Sequence, residues 1–378
     1  MIPDDDLRAL IPQVVSALVR RGADFATAED AVQSALVSAW QTWPDDPPRD
    51  PRAWLVTAAW RRFLDDVRSR QARERREDDV AREPAAGEVS AYDDTLWLYL
   101  LCAHPSLTPA SAVALTLRAV AGLTTRQIAN AYLVPEATMA QRISRAKQKL
   151  SGVPLQEPGD LSTVLRTLYL VFNEGYTGDV DLSSEAIRLC RNVFDQADEP
   201  EVAGLLALML LHHARRPARW RDAQLVPLAE QDRRLWDTAL FAEGIDILQA
   251  ALAKDRLGEF QAQAAIAALH ADAPTAAETD WQQIVEWYDE LLAFNDSPVI
   301  RLNRAVAVGE WRGPRYGLTD LHQVDPRVPR YAAASAYLHE QAGDREQAAE
   351  LYATAASQAT TEAERDHLSR QAARLRAQ

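Results

Sequence analysis

Thr124-Thr125-Arg126-Gln127-Ile128-Ala129-Asn130-Ala131-Tyr132-Leu133-Val134-Pro135-Glu136-Ala137-Thr138-Met139-Ala140-Gln141-Arg142-Ile143-Ser144-Arg145-Ala146-Lys147 has the layout of two short helices joined by a tight turn. Ala129, Leu133, Val134, Met139 and Ile143 are spaced to pack the two helices together. Pro135 suits the first position of the second helix, where its missing N–H costs nothing. Thr138, Gln141, Arg142, Arg145 and Lys147 are left facing outward, a hydroxyl, an amide and cations suited to base edges and phosphates.

Helical periodicity extends on both sides of this stretch, and no period-2 run with hairpin turns interrupts it. The chain reads as all-α. Leu7, Leu10, Ile11, Val14, Val15 and Leu18 form a first apolar stripe; Thr27 is placed to cap a second helix carrying Ala31, Val32, Ala35, Leu36, Ala39 and Trp40. Pro44, Pro47 and Pro48 end it, and a long helix follows Pro51 with Trp54, Leu55, Ala58, Phe63, Leu64 and Val67 on its apolar face. The divisions are a first helical domain over 1–77, a charged linker with Pro84 and Gly87 over 78–90, a second domain over 91–152 and an extension over 159–378. In the extension, Ala336, Gly343, Ala348, Tyr352 and Ala355 match the small and aromatic positions of a tetratricopeptide unit, and Ala305, Gly317 and Leu321 form an irregular earlier copy.

At 378 residues, 47% of them hydrophobic and 25% charged, the composition excludes disordered, collagen-like and disulfide-scaffold classes. Cys102 and Cys190 read as core residues, and no secretory signal or long apolar run is present, so the expectation is a cytoplasmic protein. The net charge of −14 hides an asymmetry: residues 1–150 carry −1 and the remainder −13. Residues 49–76 and 118–149 are each +5, so polyanion contact belongs there.

Ala28-Glu29-Asp30-Ala31-Val32-Gln33 through Trp40, the helix from Trp54 to Arg70, and the helix-turn-helix together resemble the two characteristic domains of extracytoplasmic-function (ECF) sigma factors. The stretches Tyr169 to Tyr176, Asp181 to Leu189, Leu208 to Arg219 and Gln231-Asp232-Arg233 are similar to a group of that family with a tetratricopeptide-like extension. The resemblance implies a subunit that binds core RNA polymerase and promoter DNA and leaves catalysis to polymerase. By position, it implies that Asp30, Gln33, Val37 and Trp40 dock on polymerase. It likewise implies that Arg49, Arg52, Trp60, Arg61, Arg62 and Arg68 meet the −10 element. There, cations follow phosphates and flat groups stack on unpaired bases. Thr125, Glu136, Thr138, Gln141, Arg142, Arg145 and Lys147 would meet the −35 element. The chain departs from the family at Ser34, usually acidic; at Leu133 and Ala137, often glycine; and at Arg221-Asp222-Ala223-Gln224, where a Gly-containing turn is expected. The Cβ of Leu133 raises the cost of a left-handed turn there.

No cofactor or metal is expected. His212 and His213 are adjacent, so on a helix they diverge and do not chelate one ion, and Cys102 and His104 diverge likewise. Asn173, Glu174 and Tyr176, with Asp232, Arg233 and Trp236, read as structural polar groups, since no nucleophile-base pair accompanies them. The competing reading is a helix-turn-helix regulator with a ligand- or peptide-sensing repeat domain, but it gives no role to the first basic domain. The acidic extension and the basic helices are complementary in charge, which points to an intramolecular contact between them, with Leu161 to Tyr176 supplying its apolar area.

Overall fold

The computed structural model describes residues 4–43, 46–74, 95–150, 159–175, 180–221 and 224–377. The linker expected at 78–90, Tyr176 and the Asp222-Ala223 turn lie outside the described residues. Two compact units divide the chain, Met1–Ala197 and Asp198–Gln378.

The first unit begins with α1 (Asp4–Arg20), α2 (Phe25–Thr42) and α3 (Pro51–Glu74), which pack on one another. Leu7, Ile11, Val14, Val15 and Leu18 of α1 are buried with Val32 and Ala35 of α2 and Leu55, Ala59 and Phe63 of α3. The cap of α2 is Asp24 rather than Thr27: its Oδ1 accepts from the Thr27 N–H at 3.0 Å, which starts the helix three residues earlier than the apolar periodicity alone indicates. A second group holds α4 (Thr95–Cys102), α5 (Pro109–Ala119), α6 (Thr125–Ala131) and α7 (Glu136–Leu150). Thr124 and Gln127 form a reciprocal capping box at the start of α6. The unit closes with α8 (Leu161–Glu174) and α9 (Leu182–Gln196). Tyr99 of α4 donates to the Leu189 carbonyl at 3.2 Å, and the Leu96 N–H donates to Gln196 Oε1 at 3.0 Å. Cys102 and Cys190 are both buried free thiols.

The second unit starts at α10 (Pro200–Ala214), buried on nearly every side from Val202 to Leu211. A two-residue hairpin follows, β1 (Trp220–Arg221) with β2 (Gln224–Leu225), antiparallel with Trp220 opposite Leu225. Strands this short leave no period-2 signal, so among the described residues the expectation of a strand-free chain fails only here. Then come α11 (Thr238–Leu252), α12 (Glu259–Asp272), α13 (Trp281–Phe294), α14 (Pro298–Arg312), α15 (Pro314–Leu321), α16 (Tyr331–Gln341), α17 (Arg345–Gln358) and α18 (Glu362–Arg376), each from α12 onward packed on the next. Ala336, Ala348, Tyr352 and Ala355 share one buried cluster with Leu368 and Leu375, and Gly343 supplies the positive φ of the intervening turn. Ala305 and Leu321 are buried in the preceding pair, where Gly317 lies so close to α14 that a Cβ would stand 2.6 Å from the Ala305 carbonyl.

Candidate nucleic-acid and protein interface

Helix α2 owes its outward face to alternation around one turn: Ala31, Val32, Ala35 and Ala39 point into the core, and Asp30, Val37 and Trp40 do not. Val37 is 60% and Trp40 66% exposed, unusual for residues of that size. Gln33 is half-buried, with a side-chain nitrogen that has no hydrogen-bond partner among the described residues. A groove of about 530 Å³ brings Gln33, Val37 and Trp40 together with Leu7 and Ile11 of α1 and with Thr124 at the start of the helix-turn-helix.

On α3, Arg61, Arg62 and Arg68 are exposed, as is Arg49 in the preceding loop, while Arg52 is half-buried. Trp60 is 8% exposed, its ring 5.0 Å from that of Phe63, with the Arg21 guanidinium 5.4 Å above it. Trp54 packs edge-on to Trp43 at 5.3 Å. Helix α3 therefore exposes Arg61, Arg62 and Arg68 beside Asp65 and Asp66, with Trp60 turned inward and Trp54 half-buried.

In the helix-turn-helix, Ala129, Met139 and Ile143 are buried as their spacing requires. Leu133 is the exception: it adopts φ 50° and is 81% exposed. The turn takes the left-handed conformation that the Cβ opposes, and in doing so throws the leucine outward. Helix α7 starts at Glu136, leaving Pro135 just outside it, where its carbonyl accepts from the Thr138 and Met139 N–H groups. Glu136, Thr138, Gln141 and Arg145 are exposed, Thr125 and Arg142 half-exposed.

Lys147 points elsewhere. Its Nζ bonds Glu29 Oε2 and lies 2.7 Å from Asp30 Oδ1, so a residue expected on DNA meets two consecutive carboxylates of α2. Glu29 is fully buried and is also paired with Arg118 of α5, Nε to Oε1 at 3.1 Å. Arg118 Nη1 donates in addition to the Leu123 carbonyl, just before the helix-turn-helix. Burial pushes the Glu29 carboxyl up while Lys147 and Arg118 pull it down. For Lys147, burial opposes the charge, but Glu29 and Asp30 outweigh it and hold the ammonium above its ordinary range. Sequence reading missed Glu29 and Arg118 in this role; the available signal was a carboxylate set among the inward positions Ala28, Ala31 and Val32.

In the second unit, Arg233 Nη1 donates to the His270 carbonyl at 2.7 Å and to that of Ala273, and its guanidinium lies 4.5 Å above Trp236. Asp232 caps the turn by accepting from Arg234. Burial pushes His212 down to about 3 and His270 down to about 4, with Arg215 adding to both. Among the described residues no group of His, Cys, Asp and Glu is arranged to hold a metal, and no helix is long and apolar enough to cross a membrane.

The chain matches Sigma-70 region 2 over residues 7–73, Sigma-70 region 4 over residues 97–150, and a family of unknown function (DUF6596) over residues 160–252. An uncharacterized protein of Rhizobium meliloti is 40% identical over 349 residues, 85% of this chain and 82% of its own length. The probable ECF RNA polymerase sigma factor SigI of Mycobacterium tuberculosis is 28% identical over 46% of this chain and 68% of its own. The ECF RNA polymerase sigma factor SigJ of the same species is 31% identical over 41% and 52%. No solved structure matches the chain significantly.

Proposed function

The chain belongs to the ECF RNA polymerase sigma factors and directs promoter-specific transcription initiation, and from that premise we propose a division of labour among its helices. Helix α2 docks on core polymerase through Asp30, Gln33, Val37 and Trp40. Helix α3, with the loop before it, holds the −10 element through Arg49, Arg52, Arg61, Arg62 and Arg68, and Trp60 supports that helix from beneath. Helix α7 reads the −35 element through Thr138, Gln141, Arg142 and Arg145, with Thr125 and Glu136 at its approach. The observation that carries this reading is the separation of surfaces: α2 exposes Val37 and Trp40 without a single Lys or Arg, whereas α3 and α7 expose cations. Bond-forming chemistry belongs to polymerase, and this subunit is not an enzyme.

The extension acts, in this reading, through protein contact. Support comes from α8 and α9, whose Leu165, Leu168 and Phe172 are buried and whose Leu189 and Gln196 accept hydrogen bonds from α4.

The test is reconstitution with core polymerase on promoter DNA. Val37→Asp abolishes polymerase association while the protein's circular dichroism is unchanged. Arg145→Ala preserves association but weakens occupancy of the upstream element by about 1 to 3 kcal/mol. Retained association in the first variant, or unchanged footprints in the second, would overturn the assignment of that helix.

A further inference from the structure

Residues 151–378 carry a charge of −13, yet one cleft of the second unit is lined chiefly by cations. It measures about 380 Å³ and lies between the β1–β2 hairpin and α18, which packs on β2. Arg221 contributes from the hairpin, and His367, Arg370 and Arg374 contribute from one face of α18, at helical spacing. Leu225, Val226 and Pro227 add an apolar wall. That wall is fixed in place: the Val226 N–H donates to the Arg219 carbonyl at 2.9 Å, and the Val226 carbonyl accepts from Gln231 Nε2 at 3.1 Å.

The cations of the cleft are largely uncommitted. Among the described residues, Arg370 bonds only neutral oxygens: Nη1 donates to the Gln224 side chain, and Nε to the Asp366 carbonyl at 3.2 Å. Arg221 has no carboxylate at ion-pair distance among the described residues; nearby Asp232 is held by Arg234, Nη2 to Oδ2 at 2.8 Å. Arg374 is shared between Glu340 and the Gln371 oxygen. These bonds also orient two glutamines. With both amide oxygens accepting from arginines, the NH2 groups of Gln224 and Gln371 are left to donate. The cleft thus offers guanidinium and amide donors, with Glu230 as the one carboxylate in its lining.

We propose that this cleft binds a small organic phosphate. The proposal goes beyond the sigma-factor reading and does not depend on the assignment of α2, α3 or α7. Guanidinium groups from two elements line one volume, which suits a doubly charged group with three terminal oxygens better than a planar carboxylate. The apolar wall gives the body of the ligand a surface to cover, and the volume lies in the range of small-molecule sites. Nucleic acid is a poorer fit. The acidic excess around the cleft repels a polyanion, whereas a single phosphate within about 8 Å of the arginines feels chiefly their charge.

Calorimetric titration of the full-length protein with phenyl phosphate, inorganic phosphate and benzoate at physiological salt tests this. Phenyl phosphate binds at one site with a Kd on the order of 1 mM or tighter. Inorganic phosphate binds more weakly, for want of the apolar contact, and benzoate at least about tenfold more weakly. Arg370→Gln and Arg221→Gln each weaken phenyl phosphate by about tenfold or more, the loss expected for one charged hydrogen bond, with circular dichroism unchanged. Arg221→Gln decides alone if Arg370→Gln perturbs α18. Arg327→Gln, at an exposed arginine paired with Asp325 outside the cleft, leaves binding unchanged. No binding of either phosphate at about 10 mM overturns the site. Binding undiminished in both cleft variants, or diminished equally by Arg327→Gln, overturns its location. Benzoate binding as tightly as phenyl phosphate overturns the choice of phosphate. None of these readouts involves polymerase or promoter DNA, so their failure leaves the proposed function standing.

Discussion

Leu133 holds a conformation its side chain resists. A leucine at φ 50° costs about 1 to 2 kcal/mol relative to a right-handed conformation, and an exposed side chain recovers little of that by packing. Leu133→Gly removes the strain, while the added freedom of glycine in the unfolded chain takes back about 0.5 to 1 kcal/mol. The expected outcome is a net stabilisation of about 0.5 to 1 kcal/mol in urea unfolding; a destabilised variant would show that Leu133 has a packing role. This residue also marks where sequence reading stops. Ala129, Met139 and Ile143 were readable because helical spacing alone decides their burial. Leu133 fits the same apolar spacing, but it sits in the turn, where backbone geometry and not periodicity aims the side chain. Trp60 differs in kind: its neighbours Arg61 and Arg62 make it look solvent-facing, yet one helical position places the indole under Arg21 and against Phe63.

Among elements, the helix-turn-helix and the stacked pairs of the second unit follow from local patterns, whereas the joints between helices do not. Lys147 and Glu29 are separated by 118 residues, and no spacing rule links them. The joint of α10 with α12 is of the same kind. The N-cap of helix α12 is Gly258, which has no side chain to cap it, and Glu201 of α10 takes that role from outside. Its Oε2 accepts from the Phe260 N–H at 2.9 Å, and its Oε1 from the Gln261 N–H at 3.1 Å. Gly204 allows this approach, since a Cβ there would stand 2.6 Å from the Gln261 nitrogen. Glu201→Ala therefore leaves two helix N–H groups without their acceptor and lowers stability by about 1 to 2 kcal/mol, read by chemical denaturation. A loss within experimental error would mean that water caps α12 equally well.

At the scale of the molecule, charge is divided by sign: the basic stretches lie within residues 1–150, and the acidic excess lies beyond them. Acid is then a selective probe of the second unit, through its buried histidines. His212 of α10 and His270 of α12 are held neutral by burial beside Arg215, with folded values of about 3 and about 4 against an ordinary 6.5. Above about pH 6.5 both folded and unfolded chains leave them unprotonated, and they add no pH dependence. Below that value the unfolded chain binds protons the folded chain refuses, so stability falls as pH falls, until the folded values are reached near 4 and 3. In the middle of that window each histidine costs about 1.4 kcal/mol per pH unit. Carboxylates held low by cations, such as Asp232 beside Arg234, act in the same direction but only at more acid pH, because their ordinary value is near 3.8. His367, also lowered by burial, adds to the upper part of the window. Unfolding in urea at pH 7, 6 and 5 should thus show a steepening loss in the second unit, and His212→Gln should reduce the slope between pH 6 and 5 by one proton. A slope unchanged by that substitution would mean that His212 is protonated in the folded protein, and that Arg215 and Arg219 do not surround it as they do here.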